Sequence, residues 1–415
     1  ILDRQPGGGD MLDITYPSSL GLVALAMLGY YGRRRYIENC RVRVLSADAK
    51  TSAIVRYTEA EGMVTLHDVL QKECPSLVDP ELAYMIPTPY LGTGLLQTIY
   101  ATLRVRLRNT ASDVRYEREL LVMEDGGTVS LDWYSAVEAQ ASSDWPPIAM
   151  MMAGVGGSSQ EHHMRVMAKA LAHSPAAFRT VVVNHRGTAR TPITSARPYD
   201  SGFTDDFRAA VKHVQADYPH SKVVGIGFSM GANILTKYIG EEGPRCTLAC
   251  AVAVCCPFDI RVSSAAINES NLLNDYVIQP SVMSTLMRAI KRASHLQVDP
   301  LWNLDVQRIK GATRLSELEE ELMVKIGGYC DLDEYYEQSS SFNHVENIEI
   351  PFLAINSLDD RITPPQGIPM DKFVTNPSIA LALVPHGGHL GFLTGVPPRI
   401  WFVKPIEEFV SAIIK

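Results

Sequence analysis

The chain has 415 residues, of which 46% are hydrophobic and 20% are charged, and its formal net charge is −8. This composition is ordinary for a globular protein with a large core, either one large α/β domain with an insertion or two domains. The negative charge argues against a nucleic-acid partner, because nucleic-acid-binding proteins present a basic surface. The seven cysteines show no metal-ligand spacing, and their odd number favours a reducing compartment.

The N-terminal region contains a stretch that could anchor the protein to a membrane. Residues 1–13 are predicted to be disordered, and Ile14 to Tyr31 carries no charged residue before the Arg33 to Arg35 cluster. That length is at the lower limit for a bilayer-spanning helix, and the arginines would lie on the cytoplasmic side. The alternative is a buried or interfacial helix of about twelve residues. We expect a membrane anchor over residues 14–32, with the main body in the cytosol at an endoplasmic-reticulum or lipid-droplet surface.

Residues 33–115 are predicted to form an N-terminal extension. Val42 to Val55 and Leu103 to Leu107 are interpreted as strands, and Tyr84 to Ala101 as an extended segment that continues into a short apolar helix. From Arg118 to Tyr134 the sequence predicts a hairpin, because two strand-like runs flank an Asp-Gly-Gly turn.

The remainder of the chain alternates apolar strands with helices. This rhythm predicts an α/β fold with a mostly parallel central sheet flanked by helices, because strands that are apolar throughout are covered on both faces. Residues 116–256 form the first half of this core and residues 348–415 the second half. Between them, residues 257–347 are predicted to be a largely helical cap above the carboxyl ends of the strands. The predicted core strands are Ile148–Met152, Thr180–Asn184, Val223–Ile226, Leu248–Cys255, Ile350–Asn356 and Ile379–Val384.

A nucleophile elbow is predicted at the centre of the chain. Between Ser221 and Gly240 an apolar strand runs into Gly227-Phe228-Ser229-Met230-Gly231 and then into a helix. Gly-x-Ser-x-Gly at such a junction exposes a serine hydroxyl on a tight, strained turn. The next backbone N–H, from Met230, would face a developing oxyanion at the positive end of the helix. Ser229 is therefore the predicted nucleophile.

A serine nucleophile needs a histidine base and a carboxylate that orients it. In enzymes with this elbow the chain order is nucleophile, acid, histidine. Asp359 and Asp360 follow one predicted core strand, and His386 and His389 follow the next. Asp360 and His389 are the preferred pair, with Asp359 and His386 as the alternatives.

The second oxyanion donor is expected in the glycine-rich loop after the Ile148–Met152 strand. Val155 is the predicted donor, and Gly154, Gly156 and Phe228 are predicted to contact substrate. A phosphate-binding loop of the Walker type is unsupported, because no Lys-Ser or Lys-Thr follows the glycines. The sequence predicts no metal ion and no organic cofactor.

Three further features have two interpretations each. His162 and His163 could be metal ligands, but adjacent residues of a helix face different ways, which favours a solvated helix surface. Asn184 to Gly187 either lines the pocket rim or anchors a loop. The Met-containing segment Val282 to Leu296 is either ordinary packing or an adaptable surface for acyl chains.

From about Tyr84 to its end, the chain resembles the α/β-hydrolase-domain (ABHD) lipase and esterase family. The similarity is to the branch that includes bacterial YheT-like hydrolases and fungal medium-chain ester synthase/esterases. Two departures are Ala153, where the family usually has His or Pro, and Arg361, where it usually has Pro. The motifs that carry the resemblance are Pro89–Thr98, Arg118–Trp133, Asn184–Gly187, Gly227–Leu235, Cys256–Asp259, Tyr335-Tyr336, Asn356–Pro364 and His386–Phe392.

The resemblance implies an α/β-hydrolase fold, a triad of Ser229, Asp360 and His389, and an N-terminal membrane anchor as in many family members. The resulting hypothesis is a membrane-associated serine hydrolase that cleaves carboxylic esters of aliphatic acyl chains, with a lipid or small ester as substrate. One alternative is acyl transfer to an alcohol, for example from an acyl-CoA, by the same triad. Another is a non-catalytic lipid-binding protein on a hydrolase fold.

Overall fold

The structure is a computed structural model that describes residues 32–58, 62–106, 114–136, 145–195, 197, 200–271, 274–292 and 304–415. It divides into two compact units, Ile1–Asn39 and Cys40–Lys415. In the first unit, residues 32–38 are helical. The predicted disordered start and the predicted membrane segment Ile14–Tyr31 lie outside the described residues. Among the helices that the structure describes, none has the length and apolar character needed to cross a bilayer.

The second unit consists of strands and helices in regular alternation. Its strands are β1 Arg43–Ser46, β2 Ile54–Thr58, β3 Gly62–Thr65, β4 Glu117–Val122, β5 Thr128–Tyr134, β6 Ile148–Met152, β7 Arg179–Asn184, β8 Val223–Phe228, β9 Cys250–Val254, β10 Phe352–Ser357, β11 Ile379–Val384, β12 Leu393–Thr394 and β13 Arg399–Ile400. Its α-helices are α1 Leu66–Glu73, α2 Pro75–Val78, α3 Gly94–Arg106, α4 His162–Ala172, α5 Asp205–Asp217, α6 Met230–Glu242, α7 Ile260–Asn268, α8 Gln279–Arg292, α9 Val306–Gly311, α10 Leu315–Leu318, α11 Lys325–Gly327, α12 Leu332–Ser339, α13 Met370–Thr375 and α14 Val403–Ile414.

One sheet of nine described strands runs through this unit in the order β1-β11-β10-β9-β8-β6-β7-β5-β4. The six central strands, β11 to β7 in this order, are mutually parallel. Strand β1 adds to one edge in antiparallel orientation, and the β4–β5 hairpin adds to the other. The parallel strands place their carboxyl ends, and the loops that follow them, along one edge of the sheet.

The central strands are mostly apolar because both faces of the sheet are covered. Strands β6, β8, β9, β10 and β11 are buried along their whole length. Alternate residues enter two separate core clusters, so that Ile355 belongs to one cluster and its neighbour Ala354 to the other. The predicted α/β fold with a mostly parallel sheet is therefore confirmed.

The N-terminal extension departs from the prediction in two respects. The predicted strand Val42 to Val55 is instead two strands, β1 and β2, and β1 pairs with β11, so the extension contributes an edge strand to the core sheet. Leu103, predicted to begin a strand, instead lies inside helix α3. Leu95, Ile99 and Leu103 recur every four residues, so Leu103 belongs to this helical period although it also begins the short Leu-Val-Leu alternation that suggested a strand.

Between β9 and β10 the described residues are mostly helical. Apolar residues from several of these helices form their own clusters, one of which includes Met283 and another the paired Tyr335 and Tyr336. The burial of Met283 favours the packing interpretation of the Met-containing segment. Asn233, on the helix after the elbow, donates from Nδ2 to the Ser339 carbonyl and accepts from the Ser341 N–H, which joins the end of this region to the core.

The Asn184 to Gly187 segment anchors a loop. Asn184 is buried and accepts the Ser159 N–H, while the Arg186 guanidinium, 4% exposed, binds Asp125 and Asp206. Because the buried Asn184 and Arg186 find their hydrogen-bond and ion-pair partners in neighbouring loops, the structure favours the anchor over the pocket-rim interpretation.

Candidate active site

Ser229 occupies a strained turn between β8 and α6. Its backbone has φ 54° and ψ −120°, a conformation that side-chain-bearing residues rarely adopt. The turn closes only because its flanking residues are glycines: a Cβ on Gly227 would lie 2.5 Å from the Ala232 Cα, and one on Gly231 would lie 2.6 Å from the Ala153 carbonyl oxygen. The predicted elbow geometry is present.

Three side chains from three separate loops form a hydrogen-bonded relay at this turn. The Ser229 Oγ lies 2.8 Å from His389 Nε2, and His389 Nδ1 lies 2.8 Å from Asp360 Oδ2. The loops follow β8, β11 and β10, so the parallel sheet brings together residues that are up to 160 positions apart. The order and spacing are those that a base-activated serine requires.

Asp360 is fully buried, and its carboxylate is held by several donors. Thr363 donates to it from both its N–H and its Oγ1, and the Ile362 N–H donates as well. Burial opposes ionisation of this carboxyl, but the nearby His389 and the hydrogen bonds from Thr363 together keep its pKa below the usual value. Asp360 is thus an ionised acceptor at neutral pH, as orientation of an imidazole requires.

The alternative pair, Asp359 and His386, lies beside the relay without entering it. His386 Nδ1 is 3.4 Å from Asp359 Oδ2, and both side chains are about 28–29% exposed. The Asp359 carboxylate accepts the backbone N–H groups of Gly94 and Gly388 and the hydroxyl of Ser357. It therefore joins the start of α3 to the loop that carries His389.

Helix α3 makes two further contacts with the histidine loop. Thr98 Oγ1 accepts the His389 N–H at 2.8 Å, and Gln97 Oε1 accepts the Leu393 N–H at 2.6 Å. Pro89 to Thr98 carries part of the resemblance to the hydrolase family, but residue patterns alone indicate no role for it. The structure shows that this part of the N-terminal extension supports the loop of the candidate base.

Cys255, interpreted from the sequence as a core residue, lies beneath the relay. Its thiol contacts the Gly388 carbonyl at 3.7 Å and accepts the Leu390 N–H at 3.4 Å. Cys255, Asp360 and His389 also place possible ligand atoms within 4.8 Å of one another. Burial raises the pKa of the Cys255 thiol well above its usual value, which keeps the thiol protonated and disfavours metal binding there.

The loop after β6 lies against the nucleophile. A Cβ on Gly154 would be 3.1 Å from the Ser229 Cβ and 3.5 Å from its Oγ. The Val155 N–H makes no hydrogen bond within the described residues, and Met230 N–H, in the first turn of α6, has no carbonyl of that helix to bind. Both donors can therefore serve an oxyanion. Gly156 continues the same loop with φ 60°.

The prediction that Phe228 contacts substrate is wrong. Its side chain is fully buried in the core, where it packs against His163 and Phe402 with ring centroids 5.0 and 5.7 Å away. The abrupt backbone turn at Ser229 sends the serine above the sheet and leaves the preceding side chain in the core. The Phe228 side chain is therefore a support of the elbow and not a substrate contact.

The chain is similar to known hydrolases. The family model for the α/β hydrolase fold matches residues 146–396. Phospholipase ABHD3 of Mus musculus is 31% identical over 313 residues, which cover 73% of this chain and 73% of that protein. Monoacylglycerol lipase of Saccharomyces cerevisiae is 30% identical over 385 residues, or 84% of each chain. Monoacylglycerol lipase ABHD2 of Danio rerio is 30% identical over 366 residues, or 84% of this chain and 81% of that protein.

The chain belongs to the α/β-hydrolase family. The predicted resemblance to ABHD lipases and esterases is confirmed, and so is the predicted enzyme class, a carboxylic ester hydrolase, at the level of this family. The narrower YheT-like branch stays a prediction.

In this hydrolase, Gly154 is expected to tolerate no side chain. Gly154→Val would place methyl groups against the Ser229 hydroxyl and the position of the substrate carbonyl, so kcat/KM should fall by about 10²- to 10³-fold, comparable to loss of one oxyanion donor. Because the added Cβ would lie 3.1 Å from the Ser229 Cβ, some loss of stability is expected too, and kcat/KM is compared on protein shown to be folded by thermal unfolding. Gly311→Val, at an exposed glycine with an ordinary φ and open space around its Cβ, is a control for loss of glycine. Near-normal turnover of Gly154→Val would contradict this assignment of the loop.

His163 also differs from its prediction as a solvated residue. It is 7% exposed, packs against Phe228 and lies with Nε2 3.4 Å from the Glu161 carboxylate. Burial lowers the pKa of His163 to about 3 and raises the pKa of Glu161 to about 7. The periodicity of α4 places His163 inward with Met164 and Met167, whereas the adjacent His162 is more exposed.

The raised pKa of Glu161 predicts a pH-dependent contribution to stability. The folded protein holds a proton that the unfolded chain releases above pH 4.5, so this contribution is complete at lower pH and is lost as pH rises through about 7. The difference between the unfolding temperatures of wild type and Glu161→Gln should therefore decrease as the pH rises from 5 to 8. Calorimetry would measure it, with Glu349→Gln at the exposed Glu349 as control. A difference that is flat or rises with pH would contradict the prediction.

Proposed function

We propose that this protein hydrolyses carboxylic esters of aliphatic acyl chains through an acyl-enzyme on Ser229. The observation that carries the proposal is the continuous relay from Ser229 Oγ through His389 to the buried Asp360, with both links at 2.8 Å. The same three residues were expected from chain order and loop position alone. A complete relay argues against the non-catalytic alternative, because a binding protein has no need of an activated serine.

In the acylation step, Ser229 Oγ attacks the ester carbonyl carbon while His389 Nε2 accepts the hydroxyl proton. Asp360 accepts a hydrogen bond from the His389 Nδ1–H and stays ionised, which fixes the tautomer and stabilises the imidazolium. The carbonyl oxygen becomes an oxyanion that the N–H groups of Met230 and Val155 would bind. His389 then returns its proton to the leaving alcohol as the carbon–oxygen bond breaks.

The acyl-enzyme is resolved by the reverse sequence with water as the nucleophile. His389 takes a proton from water, the hydroxide oxygen attacks the acyl carbon, and Ser229 leaves with the returned proton, so that the products are a carboxylic acid and free enzyme. An alcohol in place of water would yield a new ester. The triad is the same in both reactions. The ratio of carboxylic acid to new ester therefore has to be measured.

The substrate class rests on the relatives and on the chemistry of the site. Monoacylglycerol lipase and phospholipase are the names of relatives that match most of the chain, and we infer lipid esters, such as monoacylglycerols or medium-chain fatty acid esters, for this protein. The chemistry of the relay needs no metal ion and no organic cofactor.

Purified protein incubated with p-nitrophenyl octanoate or a monoacylglycerol, with and without ethanol, tests this function. We expect octanoic acid as the main product, with ethyl octanoate increasing only as ethanol competes with water. Ethyl octanoate in large excess over acid at low ethanol would replace hydrolysis by acyl transfer. Lipid that is bound and returned unchanged, without turnover of any ester, would favour the non-catalytic alternative.

We also propose that residues 14–31 attach the protein to a membrane, on the basis of their uncharged run and the following arginines. Membrane fractionation of cells that produce the chain with and without residues 1–31 tests this. The shortened protein should move to the soluble fraction. Its retention in the membrane fraction would assign the attachment to another part of the chain.

A further inference from the structure

A cavity of about 390 Å³ lies between helix α3 and the segment 276–282, which leads from the short π-helix Asn274–Ile278 into α8. Its third wall is the loop after β10, through Asp359, Arg361 and Ile362. This volume is within the range of small-molecule sites in proteins.

The cavity adjoins the triad on its acid and histidine side. Asp359 and Arg361, which line it, are the immediate neighbours of Asp360 in the chain. Thr98, on the opposite wall, accepts the His389 N–H. The loops that hold the acid and the base therefore form part of the cavity wall.

The lining is suited to a hydrocarbon. Ile99 of α3 faces Val277 and Ile278 of the cap segment, and the Asp359 carboxylate is already satisfied by backbone donors from Gly94 and Gly388. Three large apolar lining residues also remain exposed to solvent: Leu103 at 49%, Tyr276 at 76% and Val277 at 43%. Apolar surface grouped in this way around a cavity marks a site for an apolar ligand.

We propose that this cavity binds the aliphatic chain of the ester substrate, so that α3 and the cap segment together select the length of that chain. The inference rests on the proposed function, because the triad beside the cavity is what makes an ester the occupant. Burial of each further methylene group strengthens binding by up to about fourfold. Preference for longer esters should therefore extend until the cavity is full.

Filling the cavity from each wall tests the proposal. Ile99→Trp reduces the volume from α3, and Val277→Trp reduces it from the cap segment. Leu96→Trp is the matched control, since Leu96 lies on α3 and is 44% exposed but does not line the cavity. Thr98 is avoided as a probe because it holds the histidine loop. The readout is kcat/KM for p-nitrophenyl esters from acetate to laurate, with thermal unfolding of each variant.

In Ile99→Trp and Val277→Trp, the ratio of kcat/KM for octanoate to that for acetate should fall about tenfold or more. In Leu96→Trp this ratio should match wild type. An unchanged ratio in both cavity variants would overturn the proposal, whether all activities are retained or all fall together.

A binding measurement separates failure of this inference from failure of the proposed function. Ser229→Ala protein is titrated with 11-(dansylamino)undecanoic acid and followed by fluorescence. Binding that weakens about tenfold in Ser229→Ala/Ile99→Trp, but not in Ser229→Ala/Leu96→Trp, supports the chain site even if wild type cleaves no ester. Ester cleavage by wild type together with equal probe binding in all three proteins would reject the chain site and leave the proposed function standing.

Discussion

Ser229→Ala is expected to lower kcat/KM for ester hydrolysis by roughly 10⁴- to 10⁶-fold, because the relay has no nucleophile without its hydroxyl. The remaining groups, the oxyanion donors and the binding site, can supply only the residual rate above the uncatalysed reaction. Alanine carries a Cβ as serine does, so the backbone strain at φ 54° is the same in both proteins. The elbow should therefore keep its conformation.

Kinetics with p-nitrophenyl octanoate and labelling with a fluorophosphonate probe measure this loss together. Ser284→Ala is the control, because Ser284 is an exposed serine on α8 that should label and turn over like wild type. Labelling that persists in Ser229→Ala, with folded protein by thermal unfolding, would show that another residue reacts.

Asp360→Asn is expected to lower kcat by about 10⁴-fold with little loss of folding. The amide can turn its NH₂ group toward His389 Nδ1, and the imidazole would then carry its proton on Nε2 and could no longer accept one from Ser229. The isosteric change keeps the shape of the buried site, which is 0% exposed at Asp360.

Asp359→Asn is the matched control for this prediction, since it makes the same change one residue earlier. The Asp359 carboxylate accepts backbone donors on both oxygens, from Gly94 on one and Gly388 on the other, so an amide there leaves one donor unmet. We expect a loss of stability of about 1–3 kcal/mol and a much smaller loss of kcat than in Asp360→Asn. Comparable loss of kcat in both variants would contradict the choice of Asp360 as the triad acid.

The sheet and the relay were predictable because they depend on local patterns and on one topological rule. Ile148–Met152 and Ile379–Val384 were recognised from continuous apolar runs, and the structure gives them the same bounds. Parallel strands carry their following loops to one edge of the sheet, and this rule alone predicts that Ser229, Asp360 and His389 lie close together.

The contacts that the sequence could not reveal are long-range and depend on register. Asp359 bonds to Gly94, 265 positions away, and Thr98 bonds to His389, 291 positions away. No local spacing signals such pairs. The position of β1 at the sheet edge was missed for the same reason, because an edge strand of four residues has little pattern of its own.

Side-chain direction explains the errors at Phe228 and His163. Both lie beside functional residues in the chain, yet each points into the core, where their rings pack 5.0 Å apart. Proximity in sequence to the nucleophile or to the oxyanion loop therefore indicates a structural role as readily as a substrate contact.

The central claim is that the reaction proceeds through an ester of Ser229, and rapid quenching tests it most directly. Wild-type protein is mixed with p-nitrophenyl octanoate, quenched in acid within milliseconds to seconds, digested and examined by peptide mass spectrometry. We predict an added octanoyl group on the peptide that contains Ser229. Product release with no acyl group on Ser229 at any time, or with the acyl group on a different residue, would contradict the account.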